Sequence, residues 1–388
     1  MALKIIQNVR NLKGKNVLLR VDYNIPIKNN RPADDYKIIQ SLPTIRFLRQ
    51  QGAKVIVVTH LGRPKKFTKQ LSTAPLARHL EKLFGQKVAH IAHIKDWRRL
   101  ERKKLPDVPL VMLDNIRFYK EEENNSAAFA KQLSSLGDIF VLDGFAVSHR
   151  VAASVTGIAE HLPSYAGMLL SQEVTYLGGL LKKPARPFVV VLGGAKVETK
   201  IPLLETLLPK ADYVLLGGDL ANTYCASLGY SLGNSLFDRK YIGKIKKLAA
   251  HKKVVVPVDY VVGDQNGKNT YCIVTEAIKL PRNTGIYDIG PRTIQLYASY
   301  IKKAKTIMWN GAMGKFEEPV YGYGTKALAC LIAAKSKGLA TGIVGWGETV
   351  QAVRDLAVAK DIDWVSTGGG AMLDYLSGRR LPGLQRLY

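Results

Sequence analysis

Apolar residues in this chain gather in short runs rich in β-branched types, and each run is followed by a stretch with helical spacing. The runs are NVLLRVDYN, AKVIVVTH, VPLVMLDN and GDIFVLDG, then FVVVLGG, DYVLLGG, KVVVPVDYVV, TIMWNG, GLATGIVGWG and DWVSTGGG. Near-continuous apolar strands alternating with amphipathic helices predict parallel sheets covered by helices, an α/β class. One segment interrupts the alternation. Between Pro163 and Pro187, LPSYAGMLLSQEVTYLGGLLKKPARP reads as a single amphipathic helix bounded by proline and glycine. The pattern therefore predicts two doubly wound, Rossmann-like lobes, 1–166 and 187–377, joined by an interdomain helix at 167–186 and a hinge. The closing LPGLQRLY is too short for a domain, and the tail 378–388 is expected to pack back on the first lobe.

Composition agrees with this picture. The 388 residues suit two cores better than one, and 47% hydrophobic with 23% charged residues is ordinary for a folded globular protein. No run approaches the roughly 20 apolar residues of a membrane helix, and MALKIIQNVRNLKGK has no apolar signal core, so a cytoplasmic protein is expected. Cys225, Cys272 and Cys330 are odd in number and lack CxxC spacing, which predicts core thiols rather than disulfides or a zinc site. The formal net charge of +26, roughly +16 of it in the first hundred residues, favours anionic partners: phosphorylated metabolites, nucleotides or nucleic acid. No RNA-binding aromatic motif or zinc finger accompanies that charge.

The strand ends carry the chemistry. Nearly every apolar run finishes in glycine or a polar residue, and in doubly wound sheets ligands bind outside the carboxyl ends of the strands. In the first lobe those positions supply Arg20, His60, Arg63, Arg117, His149 and Arg150, a basic set suited to a small polyanion. In the second they supply glycines at helix N-termini, whose backbone N–H groups cradle phosphates. A basic pocket in one lobe and a phosphate cradle in the other point to phosphoryl transfer. STGGGA at 366–371 lies between a strand and a helix, the place of a phosphate nest, although such glycines serve tight turns equally well. LGGAKVETK at 192–200 adds Lys196 and Lys200, spaced i and i+4 as on one helical face. Neither a Walker sequence nor a protein-kinase glycine loop occurs. His90 and His93 lack further metal-ligand partners, and no GxSxG elbow is present.

These segments resemble phosphoglycerate kinases. NVLLRVDYNIP, SLPTIRFLRQQGAKVIVVTHLGRP, IRF at 116–118, RPFVVVLGGAKV, GPRTIQLY, KAKTIMWNGAMG and VSTGGGA follow the family's order and spacing from about residue 12 to 384. The resemblance implies Mg2+-dependent phosphoryl transfer between 1,3-bisphosphoglycerate and ADP, giving 3-phosphoglycerate and ATP, in a cytoplasmic monomer whose lobes close by a hinge. By position, Asp22 and Asn24 would bond the glycerate, and His60, Arg63, Arg117 and Arg150 its phosphate and carboxylate. Arg20, Tyr23, Leu61, Gly62 and His149 belong to the same matching segments. Lys37, Lys196, Lys200 and Gly369 match catalytic positions, Lys200 at the transferring phosphoryl group. Glu317 would bind the ribose hydroxyls and Thr349 the nucleotide phosphates. Gly194, Ala195, Gly218, Asp219, Asn310, Lys315, Trp346, Gly347 and Glu348 complete the nucleotide set, with Glu348 at the carboxylate associated with the metal.

The chain also departs from the family's pattern. DDYKI replaces DDTRI, placing Lys37 where an arginine is expected, and HRVAAS replaces HRAHAS, removing a histidine at Ala152. GGDLA, WNGAMGKFE and GWGET put Asp219, Lys315, Trp346 and Glu348 at positions the family fills otherwise. Three readings follow. Asp219 and Lys315 pair in an ordinary enzyme; or a carboxylate at 219 accepts guanine's N1 and N2 donors and alters base preference; or the fold is kept while the basic surface binds nucleic acid.

Overall fold

The protein was analysed as a computed structural model, which describes residues 2–275, 278–345 and 347–388. It forms two compact units, residues 1–175 with 380–388 and residues 176–379.

The first unit is built on a six-stranded parallel sheet. Its strands are β1 (Asn16–Arg20), β2 (Lys54–Val58), β3 (Val88–Ile91), β4 (Leu110–Leu113), β5 (Ile139–Leu142) and β6 (Ser164–Ala166), in the spatial order β3-β4-β2-β1-β5-β6. The central β1 is buried at all five positions, as expected of a strand covered on both faces. It pairs with β2 in the register Val17 to Val55 and with β5 in the register Val17 to Ile139. Helix α1 (Tyr36–Gln50) buries Ile38, Leu42, Ile45 and Leu48 against the core of Val17, Leu19, Val55 and Val57. Residues 380–388 return to this unit, where Lys4 N donates to Leu387 O at 2.6 Å and Gly383 N to Ser148 O at 2.8 Å.

The segment read as one helix between Pro163 and Pro187 contains two elements. Ser164–Ala166 adds the edge strand β6, and the helix α2 (Met168–Lys182) starts only after Gly167. The reason lies at Gly167. A Cβ there would come within 2.1 Å of Asp143 Oδ1, the atom that accepts the Leu170 N–H at 3.2 Å in the first turn of α2. A side chain at 167 would displace this helix-start carboxylate.

The second unit repeats the architecture. Its parallel strands are β7 (Phe188–Leu192), β8 (Tyr213–Leu216), β9 (Val254–Val255), β13 (Thr306–Asn310), β14 (Thr341–Gly345) and β15 (Trp364–Ser366), ordered β9-β8-β7-β13-β14-β15. Between β9 and β13 lies a three-stranded antiparallel sheet, β10 (Asp259–Gly263), β11 (Tyr271–Val274) and β12 (Gly285–Ile289), with β10 in the middle. The run KVVVPVDYVV is thus divided between two sheets. Pro257 has no N–H for a ladder, so pairing with β8 stops after Val255 and the chain restarts at Asp259 in the other sheet. The helices that position the site are α3 (Val197–Leu207), α4 (Gly218–Ser227), α5 (Gly347–Asp355) and α6 (Gly370–Leu376). On α4, Ala221 and Cys225 pack with Tyr260, Val262 and Ile286 in an apolar cluster.

The cysteines divide. Cys225 is buried, but Cys272 and Cys330 are exposed and all three are free, so the expectation of core thiols holds only for Cys225. No helix among the described residues is long and apolar enough to cross a membrane.

Candidate active site

In the first unit the strand ends bring Arg20, His60 and Lys37 together around Asp22. Arg20, at the end of β1, is 2% exposed. Its Nε donates to Ser154 Oγ at 2.7 Å, its Nη1 to Val21 O at 2.6 Å, and its Nη2 lies 3.3 Å from His60 Nδ1. A guanidinium can only donate, so His60 Nδ1 accepts and the imidazole is neutral. Burial pushes the His60 pKa well below its ordinary value, with Arg20, Arg117 and Lys37 adding to the effect against Asp22. On the other side of the ring, His60 Nε2 lies 3.9 Å from Asp22 Oδ1, and Asp22 Oδ2 lies 2.5 Å from the Lys37 ammonium in the first turn of α1.

The loop after β2 is tied to the same place. Asn24 Oδ1 accepts the Gly62 N–H at 2.8 Å, and Gly62 O accepts from Arg117 Nη1 at 2.7 Å. Gly62 has φ +63°, a conformation other residues rarely take. Leu61 is buried, with its carbonyl held by Asn115 Nδ2 at 2.6 Å, and Arg63 beside them is exposed. Tyr23 is buried behind the loop, with its N–H on Thr59 Oγ1 at 3.0 Å and its hydroxyl 2.5 Å from Ser41 Oγ. Arg20, Arg117 and Arg150 line a pocket of about 140 Å³ with Ala152, Val155 and the two carboxylates Glu122 and Glu123. His149 precedes Arg150 and is half-buried. Burial and the neighbouring Arg150 both lower the Arg117 pKa, so the guanidinium groups repel one another across a space that a polyanion would stabilise.

Glu122, which lines this pocket, was not singled out from sequence. Glu122 is 2% exposed and accepts from both Ser154 N at 2.8 Å and Ser154 Oγ at 2.6 Å, which fixes the hydroxyl that holds Arg20. In the sequence Glu122 is the middle of KEEENN, where it reads as a solvated charge run, and only the fold shows that it turns inward.

In the second unit the glycine-rich strand ends form a cradle of backbone. Gly194, at φ +83°, donates from its N–H to Ala312 O at 2.6 Å and accepts at its carbonyl from Asp219 N at 3.2 Å. Gly218 opens α4 at φ +52°, and a Cβ there would lie 2.7 Å from Gly194 N. Side chains at these turns would fill the space between α4 and β7. Ala195 is exposed beside them. Around the cradle, Gly194, Gly218, Asp219, Lys315, Glu317 and Glu348 line a cavity of about 510 Å³ whose wall also includes the apolar Leu236, Ile286 and Met313 and the ring of Tyr260. The size and the mixture of apolar wall and convergent polar groups suit a nucleotide.

Lys200 is buried on α3 and bonds Asn310 Oδ1, while Asn310 Nδ2 donates to Gly345 O at 3.0 Å. Burial lowers the Lys200 pKa to about 8, with Lys196 adding to the fall and Glu348 opposing it. Lys196 does not share its helical face, for it caps α3 from outside the helix and is exposed. Gly347, Glu348 and Thr349 form the first turn of α5, and Thr349 Oγ1 accepts the Gly311 N–H at 2.6 Å. Gly369 precedes α6 at φ +50°. Trp346 lies outside the described residues.

Asp219 and Lys315 do not pair. The Lys315 ammonium donates to Gln265 O at 3.0 Å and lies 3.4 Å from Glu318, so its charge is turned toward the outer rim. Asp219 instead feels Glu348: burial first, then that second carboxylate, raise its pKa to about 7. Its backbone N–H donates to Gly194 O at 3.2 Å, and the residue lines the same cavity as Glu348. Two neighbouring carboxylates whose charges oppose one another fit a hard divalent cation with oxygen ligands, and Mg2+ uses few protein carboxylates when it shares a phosphate. His90 and His93 have structural partners: His90 Nε2 lies 3.2 Å from Thr73 Oγ1 and His93 stacks on Phe67 at 4.8 Å. No group of three or more metal-ligating side chains occurs among the described residues.

Comparison with known proteins agrees with this geometry. A family model described as phosphoglycerate kinase matches residues 6–379. The phosphoglycerate kinase of Borreliella burgdorferi is 41% identical, with 100% of both chains covered. The solved phosphoglycerate kinase of Coxiella burnetii superposes with a TM-score of 0.87 at 38% identity, covering 100% of this chain and 99% of that one. That of Pyrococcus horikoshii OT3 gives 0.85 at 32% identity, covering 99% and 98%. With the basic pocket, the glycine cradle and the two parallel sheets already in place, the chain belongs to the phosphoglycerate kinase family, phosphotransferases with a carboxyl-group acceptor.

Proposed function

We propose that the chain catalyses Mg2+-dependent phosphoryl transfer between 1,3-bisphosphoglycerate and ADP, giving 3-phosphoglycerate and ATP, as a cytoplasmic monomer serving glycolysis and gluconeogenesis. The observation that carries the proposal is the division of chemistry between the units: three guanidinium groups around a small pocket in one, and a glycine cradle opening on a nucleotide-sized cavity in the other. The domain roles follow, with phosphoglycerate assigned to the first unit and nucleotide to the second.

Phosphoryl transfer asks the protein for positioning and charge stabilisation more than for covalent chemistry. Arg117 and Arg150 would hold the phosphate of the phosphoglycerate, with Arg20 oriented behind them by Ser154. Neutral His60, Asp22 and Asn24 would receive its carboxylate and hydroxyl end. On the nucleotide side Gly194 and Gly218 would let the backbone approach the phosphates, Glu317 would take the ribose, and Thr349 would support the turn at Gly311. Glu348, with Asp219 near it, would hold Mg2+, which when bound neutralises phosphate charge. Lys200, already buried and held by Asn310, would follow the migrating phosphoryl group. The reaction itself requires the two substrates to meet, so closure of the units, with exclusion of water, is part of the proposal. A burial as deep as that of Lys200 suits a catalytic cation better than a nucleic-acid contact, which would lie on the surface.

Calorimetric titration of two variants tests the assignment. Arg117→Ala is expected to weaken 3-phosphoglycerate binding by about tenfold or more while ADP binding persists, and Glu317→Ala to do the reverse. Loss of both ligands in either folded variant, or of neither, would reject the division of roles.

A further inference from the structure

The turn between β10 and β11 rests on the segment that carries Glu317. Its shape is set by Asp264, whose Oδ1 accepts the N–H groups of Asn266 at 3.0 Å and Lys268 at 2.9 Å. Its place is set by the residues that follow Glu317: the Tyr321 hydroxyl donates to Asp264 O at 2.6 Å, and a Cβ added at Gly267 would lie 2.6 Å from Val320 Cγ2. The carbonyl of Gln265 is thereby a fixed acceptor, and Lys315 Nζ donates to it at 3.0 Å. Gln265, Lys315 and Glu317 all line the second unit's cavity.

Lys315 also ties the chain on both sides of Glu317. Its N–H donates to Tyr287 O on β12 at 2.7 Å, and its carbonyl accepts the Glu318 N–H at 3.0 Å. Its ammonium lies 3.4 Å from Glu318 Oε1, a half-exposed pair that adds little by itself. The charge-assisted bond to Gln265 O is the stronger tie. Residues 315 and 318 are therefore joined to each other and, through Lys315, to both β12 and the β10–β11 turn. Glu317 itself is exposed and its carboxylate has no partner among the described residues, so the course of its backbone decides where that carboxylate stands. A binding group on an untied segment must be ordered when the ligand arrives, and that cost is subtracted from affinity; a segment fixed beforehand is spared it.

We infer that Lys315 is a positioning residue for nucleotide binding, whose bond to Gln265 O holds the 315–318 turn so that the Glu317 carboxylate stands ready for the ribose hydroxyls. The inference rests on the ribose role proposed above for Glu317. The part of the affinity that comes from the ribose hydroxyls, rather than the affinity as a whole, depends on Lys315.

The test is calorimetric binding of ADP and of 2′,3′-dideoxy-ADP, which lacks both hydroxyls, to the full chain and three variants. The wild-type protein is expected to prefer ADP by about tenfold or more, and Glu317→Ala to bring the preference within about twofold. Lys315→Met keeps the unbranched stem and removes the ammonium; it is expected to cut the preference to about threefold or less. Lys315→Arg, which can still donate to the same carbonyl, is expected to hold it within about twofold of the wild-type value. A Lys315→Met variant that weakens both diphosphates equally, or weakens neither, overturns the inference while the ribose role of Glu317 stands. Collapse of the preference in Lys315→Arg to the level of Lys315→Met overturns it as well. If the wild-type protein binds the two diphosphates within about twofold, or if the preference survives Glu317→Ala, the ribose role falls and the inference falls with it.

Discussion

The ammonium of Lys37 lies 2.5 Å from Asp22 Oδ2, so the cation at the position where the family's pattern has arginine is already committed to an ion pair. Burial alone would push the Asp22 carboxyl up, but the Lys37 ammonium outweighs it and holds the group well below the usual carboxylate range. A lysine has one charged centre and must share it between Asp22 and an incoming phosphoryl group. Arginine, with a planar fork of donors, can serve both. Lys37→Arg is therefore expected to raise kcat several-fold, and Lys37→Ala to lower it by about a hundredfold, as for a lost transition-state donor. Steady-state rates of the two variants check this; an unchanged kcat in Lys37→Arg contradicts it.

Lys200 gives the site a basic limit. Its pKa is lowered to about 8 by burial, so the ammonium is intact below that pH and lost above it. The kcat/KM for nucleotide, which reports the free enzyme, is expected to fall as pH rises through about 8. Lys200→Arg, which cannot deprotonate in this range, is expected to remove that limb even at lower overall rate. A profile flat to pH 9.5 in the wild-type enzyme would contradict the role given to Lys200.

Asp143 should leave a mark on stability rather than on rate. Burial raises its pKa from 3.8 to about 6, against hydrogen bonds from Thr44 and the start of α2. A carboxyl whose native pKa exceeds its unfolded one binds more protons when folded, so its contribution is complete below about pH 4 and is lost as pH rises through 6. The loss amounts to at most about 3 kcal/mol. Denaturant unfolding between pH 4 and 7 measures it, and the Asp143→Asn variant is expected to lack that part of the slope.

Ser154 acts through Arg20 and is a positioning residue. Its hydroxyl accepts from Arg20 Nε and donates to the buried Glu122. Ser154→Ala is expected to raise KM for 3-phosphoglycerate by about tenfold with little change in KM for nucleotide, and Ser154→Thr to restore part of it. An equal effect on both substrates would point to general destabilisation instead.

Much of the fold was legible from periodicity. The apolar runs NVLLR, FVVVL and TIMWN are the central strands of the two sheets because only such runs can be buried on both faces. The sequence was less informative where one residue reassigns a segment. Pro257 divides a long apolar run between two sheets, and pairing of Ser164–Ala166 with β5 makes the start of an apparent helix an edge strand. At the site, Arg20, His60, Arg117 and Lys200 stood out because a basic residue at a strand end or a lysine in a glycine-rich turn has few structural uses. Glu122 did not stand out. A glutamate in KEEENN is unremarkable in one dimension, and its meaning depends on Ser154, which is distant in the chain.

The central claim is that the basic pocket and the glycine cradle serve one reaction. It is tested most directly by incubating the purified chain with Mg2+, ATP and 3-phosphoglycerate and following formation of 1,3-bisphosphoglycerate and ADP. The account predicts turnover that requires both substrates, stops when Mg2+ is chelated, and falls by about a hundredfold or more in Lys200→Ala. A folded chain that binds both substrates yet shows no transfer, or turnover unaffected by Lys200→Ala, would contradict it.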